Sequence, residues 1–129
     1  MAEEILGSFA FGNSPEIAND RARKVAEGKK TATSSPYFSD GCRANDFLQV
    51  GGRYVILDGA GKAVAEIQAV DLAVRAFLEV DCDHALSEGY SSLLEWRKFK
   101  ESMFRKEGFF HDGLLIACQQ FRLVKVFER

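Results

Sequence analysis

The sequence predicts an α+β domain built on a small β-barrel, and three observations lead there. β-Prone segments that pair mainly as antiparallel neighbours alternate with amphipathic helices. The apolar alternation slips phase between Ile67–Ala69 and Val70–Val74, the mark of a bulge or corner of the kind that closes small barrels. The C-terminal stretch LLIACQQFRLVKVFE carries apolar residues on both phases, as a strand buried on one side and partly covered on the other would.

The first element is a helix over SPEIANDRARKVAEG. Ser14 suits the N-cap, Pro15 the first helical position and Glu16 the positive end of the dipole. Ile17, Ala18, Ala22, Val25 and Ala26 recur at helical spacing, and Gly28 stands where a left-handed cap belongs. KKTATSSPY then reads as a short strand that breaks at Ser35–Pro36. FSDGCRANDFLQVGG is a loop long enough to suggest function. Tyr54 to Leu57 forms a strand, and Asp58–Gly59 with Gly61 turns it into the phase-slipped segment. LEVDCDHALSEGY is a short helix ending at Gly89. Ser92 and Glu95 then form a capping box for a helix whose apolar stripe is Leu93, Trp96, Phe99 and Met103, and Gly108 ends it.

At 129 residues the chain fits one domain, residues 1–129, and 47% hydrophobic with 28% charged residues excludes a disordered chain. A net charge of -2 leaves nucleic-acid binding to a local basic patch. Cys42, Cys82 and Cys118 are odd in number and widely spaced, which argues against a disulfide framework and suits a reducing compartment. The acidic start MAEEILGSFAFG does not resemble a signal peptide, and no apolar run approaches a membrane span. A cytoplasmic location without membrane association is therefore expected.

Two histidines, His84 and His111, are few for a metal centre or a triad. In Cys82-Asp83-His84 adjacent residues rarely converge on one ion, so a surface turn is the expectation there. DGAGK joins two strands and lacks the P-loop pattern, so turn chemistry explains its glycines. No cofactor and no metal ion are expected. The informative stretch is AEGKKTATSS, where a helix C-terminus delivers Lys29 and Lys30 into a Thr/Ser-rich strand. Complementarity to the helix dipole explains two lysines there without any chemistry.

AEGKKTATSSPY, then VGGRYVILDGAGKAVAEIQ, then ALSEGYSSLLEWRKFKESMF resemble, in order and spacing, the ASCH-domain family, the activating-signal cointegrator homology group. The resemblance runs from about Phe9 to the C-terminal strand and implies a PUA-like β-barrel with helices packed around it. The family signature GxKxxxxR reads here as Gly28, Lys30 and Ser35, so a role resting on the arginine is not carried over. Glu88-Gly89-Tyr90-Ser91-Ser92 stands where the family has EGEGD, and Lys100 stands where members often carry a histidine four residues after the tryptophan.

The resemblance implies work on RNA or on a modified nucleoside in a cleft around Lys30. Some relatives are amidohydrolases that deacylate cytidine acylated on its exocyclic amine, with a Lys, Thr and Glu trio; others act as ribonucleases on single-stranded RNA. Here the trio falls on Lys30, Thr33 and Glu88. A lysine whose pKa is lowered by burial can take the proton of a Thr hydroxyl, and a glutamate can orient it or pass a proton to the leaving amine. A paired Lys30 and Glu88 would instead stay charged and simply hold the segment together. In a regular strand Lys30 and Thr33 point to opposite faces, so they converge only if the chain is still turning out of the helix or a bulge intervenes. Thr31 is the substitute if the turn ends early.

For RNA contact, Lys29 and Arg43 on one segment and Arg97 and Lys100 on the tryptophan helix form a phosphate-tracking patch if both face one cleft. Tyr37, with Phe38 and Tyr90, offers a ring to stack on an unpaired base, or a lid on the core. Trp96, on the apolar stripe, is expected in the core. The alternative to an enzyme is a non-catalytic RNA-binding module in which Lys30 contacts phosphate.

Overall fold

The computed structural model describes residues 4–128. Strand β1 (Ile5–Phe9) leads into helix α1 (Pro15–Ala26), then β2 (Ala32–Tyr37), β3 (Arg53–Leu57) and β4 (Ala63–Ala76). A 3-10 turn at Phe77–Glu79, helices α2 (Cys82–Ser87) and α3 (Leu93–Lys106), and β5 (Leu115–Val126) complete the chain. Ser14 and Ser92 cap α1 and α3 by accepting from the backbone N–H groups of Ile17 and Glu95.

The sheet is mixed, in the order β1-β3-β4-β5-β2. It is not closed into a barrel, which corrects the expected barrel while leaving the α+β class intact. The chain passes from β1 to β2, the two edge strands, through α1, which lies against β3, β4 and β5. β1, which the alternation did not signal, pairs parallel with β3, and the other neighbours are antiparallel.

The phase slip has a definite cause. β4 is one strand of 14 residues whose register against β5 shifts between Glu66 and Ile67 and again between Ala69 and Asp71. The expected break at Ser35–Pro36 is absent, because β2 continues to Tyr37 with Pro36 opposite Ile116. β2 is an edge strand, where a missing N–H costs no ladder bond if it faces outward.

Two apolar clusters flank the site. Phe77, Val80, Ala85, Trp96, Phe104 and Ile116 join α2 and α3 to the sheet. Phe11, Ala22, Val25, Ile56, Ile67 and Phe121 join α1 to it. Phe77 and Phe104 are almost wholly buried, each contributing about 2–3 kcal/mol of apolar burial.

Candidate functional site

Between these clusters lies a group of buried charges. Gly28 (φ 76°) turns the chain out of α1, and the N–H groups of Lys29 and Lys30 both donate to the Lys24 carbonyl. Thr31 N–H donates to Ser87 O, which ties this turn to the end of α2. Lys30 therefore precedes β2 and folds inward, only 3% exposed. Its ammonium donates to Ala32 O (2.7 Å) and lies 4.7 Å from the centre of the Phe11 ring.

Glu88 caps the C-terminus of α2, one turn beyond His84, so both side chains share a helix face. Asp81 caps the helix N-terminus by accepting from His84 N–H. The Glu88 carboxylate is 1% exposed. Its Oε2 accepts from Ser34 Oγ (2.6 Å), His84 Nε2 (2.6 Å) and Trp96 Nε1 (2.8 Å). Its Oε1 makes no hydrogen bond among the described residues, and lies 3.4 Å from Lys100 Nζ and 3.8 Å from Lys30 Nζ.

The electrostatics follow from this packing. Burial pushes the Glu88 carboxyl up, but Lys100, the His84 hydrogen bond and Lys30 outweigh it and hold the group well below the usual carboxylate range. Burial pulls Lys30 down to about 7 against the attraction of Glu88, and Lys100, Arg21 and Lys24 repel its charge further. A fixed carboxylate thus faces an amine whose charge changes near neutrality. Such a pair can orient a polar group and exchange a proton with it.

Of the expected trio, Lys30 and Glu88 meet and Thr33 does not join them. β2 begins at Ala32, and Thr33 stands opposite Gln119, whose Oε1 accepts from Leu48 N–H in the 38–52 loop. Cross-strand partners share a face, so Thr33 lies on the loop side. Ser34, opposite Cys118, lies on the α2 side and is the hydroxyl that reaches Glu88. Among the described residues Thr31 takes part through its backbone alone, with no side-chain bond to the cluster.

Each of the expected RNA contacts has a partner within the protein. Lys29 is exposed and pairs with Glu27 at 3.2 Å, while Arg43 pairs with Asp40 and lies over the Phe38 ring. Arg97 donates to the carbonyls of Leu78 and Val80, and Tyr37 stacks on Phe47. Lys100 is 7% exposed and belongs to the charge cluster. Trp96 is fully buried, as expected of the apolar stripe.

His84 corrects the expected surface turn: it is 7% exposed, on α2, and bonded to Glu88. The spacing of His84 and Glu88, four residues apart in a helical segment, carried that information. Lys100 was marked by falling between Trp96 and Phe104 at four-residue steps along the buried face of α3. Ser34 had no such mark, because its neighbours Thr33 and Ser35 are equally plausible hydroxyls until the strand's facing is known.

A polar cavity of about 240 Å³ adjoins the cluster between α2 and strands β4 and β5. His84 lies in its wall. Among the described residues no group of His, Cys, Asp and Glu side chains is arranged to hold a metal ion. No helix of the described residues is long and apolar enough to cross a membrane.

Comparison with known proteins places the chain in a family. The fold matches an ASCH domain from Lactobacillus crispatus, with a TM-score of 0.84 at 24% identity over 94% of this chain and 80% of that one. It matches a protein from Enterococcus faecalis with a TM-score of 0.80 at 24% identity, over 100% of this chain and 86% of that one. An ASCH protein from Zymomonas mobilis, in the form of a point mutant, is a more distant likeness, with a TM-score of 0.55 at 12% identity over 95% and 71%. No match is found among curated proteins. Residues 7–125 match the ASCH domain model, and the chain belongs to the ASCH-domain family.

Proposed function

We propose that this protein recognises a modified nucleoside, free or at an unpaired position of RNA, and hydrolyses an acyl group from its base at a site organised by the buried Glu88 and Lys30 pair. The observation that carries the reading is the buried Glu88 carboxylate, kept ionised, whose Oε1 makes no hydrogen bond among the described residues although Lys100 stands 3.4 Å away, beside the Lys30 amine held at about 7. A purely structural ion pair gains most when every lone pair is satisfied, and this one leaves an acceptor unused. The ASCH family's general link to RNA supplies the substrate class.

The surroundings favour an acyl group over a phosphodiester. Asp71, Asp81 and Asp83 stand around the adjoining cavity against Arg75 and would repel phosphate. Lys30, 3% exposed and bonded to Ala32 O, is poorly disposed to contact an RNA backbone, which weighs against the non-catalytic phosphate-binding reading.

The test is to incubate the purified protein with N-acetylated cytidine and, separately, with unstructured single-stranded RNA, following both by chromatography. The expected result is release of cytidine and acetate with the RNA left intact. Lys30→Arg, which puts a larger and permanently charged group beside Glu88, should lower turnover and leave nucleoside binding within a few-fold. RNA cleavage without deacylation would replace this reading by a ribonuclease. Salt-sensitive RNA binding with no turnover of either substrate would replace it by a binding module.

A further inference from the structure

Lys30 and Glu88 are closed off from solvent, at 3% and 1% exposure, so a substrate must meet them through a side chain that also borders open space. His84 is such a side chain. A carboxylate can only accept, so the 2.6 Å contact with Glu88 Oε2 puts the ring proton on Nε2. In the neutral ring Nδ1 is then a bare acceptor. Nδ1 has no hydrogen-bond partner among the described residues, although the side chain is only 6% exposed.

The cavity beside it lies on the same face of the sheet as the cluster. Ala73 and Ser34 both stand opposite Cys118, so the three share one face, and Ser34 is the residue that reaches Glu88. At about 240 Å³ the space is smaller than the roughly 300–1,000 Å³ of pockets for drug-sized ligands, and suits one ring-sized group. The side chains of Asp71, Arg75, Asp83 and Gln120 around it make no hydrogen bond to protein among the described residues. They offer acceptors and donors to the edge of a neutral ring bearing N–H groups.

We propose that this cavity is the substrate-binding site and that His84 is its proton-transferring catalytic residue, held in place by Glu88. The proposal rests on the hydrolytic reading above and adds the place and the group through which it acts. His84 Nδ1 takes a proton from a water molecule as the water oxygen bonds to the acyl carbon. Glu88 stabilises the imidazolium that forms. The bond from acyl carbon to amine nitrogen then breaks, and the proton on Nδ1 passes to the departing amine. The products are a carboxylic acid and the free base, and the imidazole returns to neutral.

His84→Gln tests this, because the amide keeps an N–H for Glu88 and removes the base. It should lower kcat on N-acetylated cytidine by about 10²–10⁴-fold with KM changed only a few-fold. Ala73→Leu, which puts a larger side chain in the cavity wall, should instead raise KM or abolish binding. A third measurement needs no turnover. The chain has two histidines, so His84→Gln assigns their ring NMR signals, and adding cytidine to the intact protein should move the His84 resonances and leave those of His111 in place. Full activity in His84→Gln would overturn the catalytic role. Cytidine that binds without moving the His84 signals, or that binds Ala73→Leu as well as wild type, would overturn the site. If wild type deacylates nothing, the hydrolytic reading fails on its own; the cavity stands if cytidine moves the His84 signals and falls if it does not.

Discussion

Glu88→Gln removes one charge and almost no volume, and its cost can be worked from the contacts. The carboxylate is 1% exposed and faces two ammonium groups, Lys100 at 3.4 Å and Lys30 at 3.8 Å. Removing one partner of a buried ion pair costs about 3–5 kcal/mol, because the remaining charge is left uncompensated. The glutamine oxygen can still accept from two of the three donors Ser34, His84 and Trp96, and losing the third adds about 1–3 kcal/mol. Lys30 partly offsets this by giving up its proton, since its pKa is already about 7. The expected net loss is about 3–5 kcal/mol, a fall in Tm of roughly 10–20 °C for a domain of this length. Urea unfolding at pH 7, followed by Trp96 fluorescence and by circular dichroism, measures it. Adding Lys100→Met to Glu88→Gln should recover about 1–3 kcal/mol, because it removes a charge that no longer has a counter-ion. A Glu88→Gln protein within about 1 kcal/mol of wild type, or a double variant no more stable than the single one, would mean that the cluster is neutral or solvated.

Other expectations concern the same cluster. Lys30 has a folded pKa of about 7, below its unfolded value of about 10.4, so the unfolded chain binds more protons between these values and stability rises with pH there. The buried Cys118 thiol, pushed up to about 11, and Tyr90, pushed up to about 12, reverse this trend in alkali, so the net rise should fall between about pH 7 and 9. Comparing urea unfolding of wild type and Lys30→Met across that range should show the rise in the former and its absence in the latter. Glu88 has the opposite sign: its folded pKa is depressed, so the stability it contributes is present above its unfolded value of about 4.3 and is lost as pH falls below it. Acid titration of wild type against Glu88→Gln should show the two converging there. Trp96→Phe deletes the 2.8 Å indole N–H bond to Glu88 and leaves a void, which should cost about 2–4 kcal/mol by thermal melting. Gly89→Ala forces a side chain onto φ 98° and to 3.1 Å from Lys24 Cδ beside the site, and about 1–2 kcal/mol should be lost in the same assay.

Local signals were enough for most of the framework. The caps at Ser14 and Ser92, the glycines after each helix and the apolar spacing of α1 and α3 each depend on residues within a turn of one another, so they are legible without the rest of the chain. The bulges of β4 were visible as a slip in alternation for the same reason. Lys30 and Glu88 were singled out by resemblance to a family pattern. What the residues alone left open was their facing and their depth. Whether Thr33 or Ser34 meets Glu88 depends on which face of β2 looks toward α2, and pairing with β5 decides it. His84 and Lys100, polar residues that solvation would ordinarily keep outside, are drawn in because a single carboxylate from another element compensates both. β1 and the open sheet belong to the same class of fact: the parallel pairing of β1 with β3 and the strand order that leaves β1 and β2 at opposite edges are long-range relations that no window of neighbouring residues encodes.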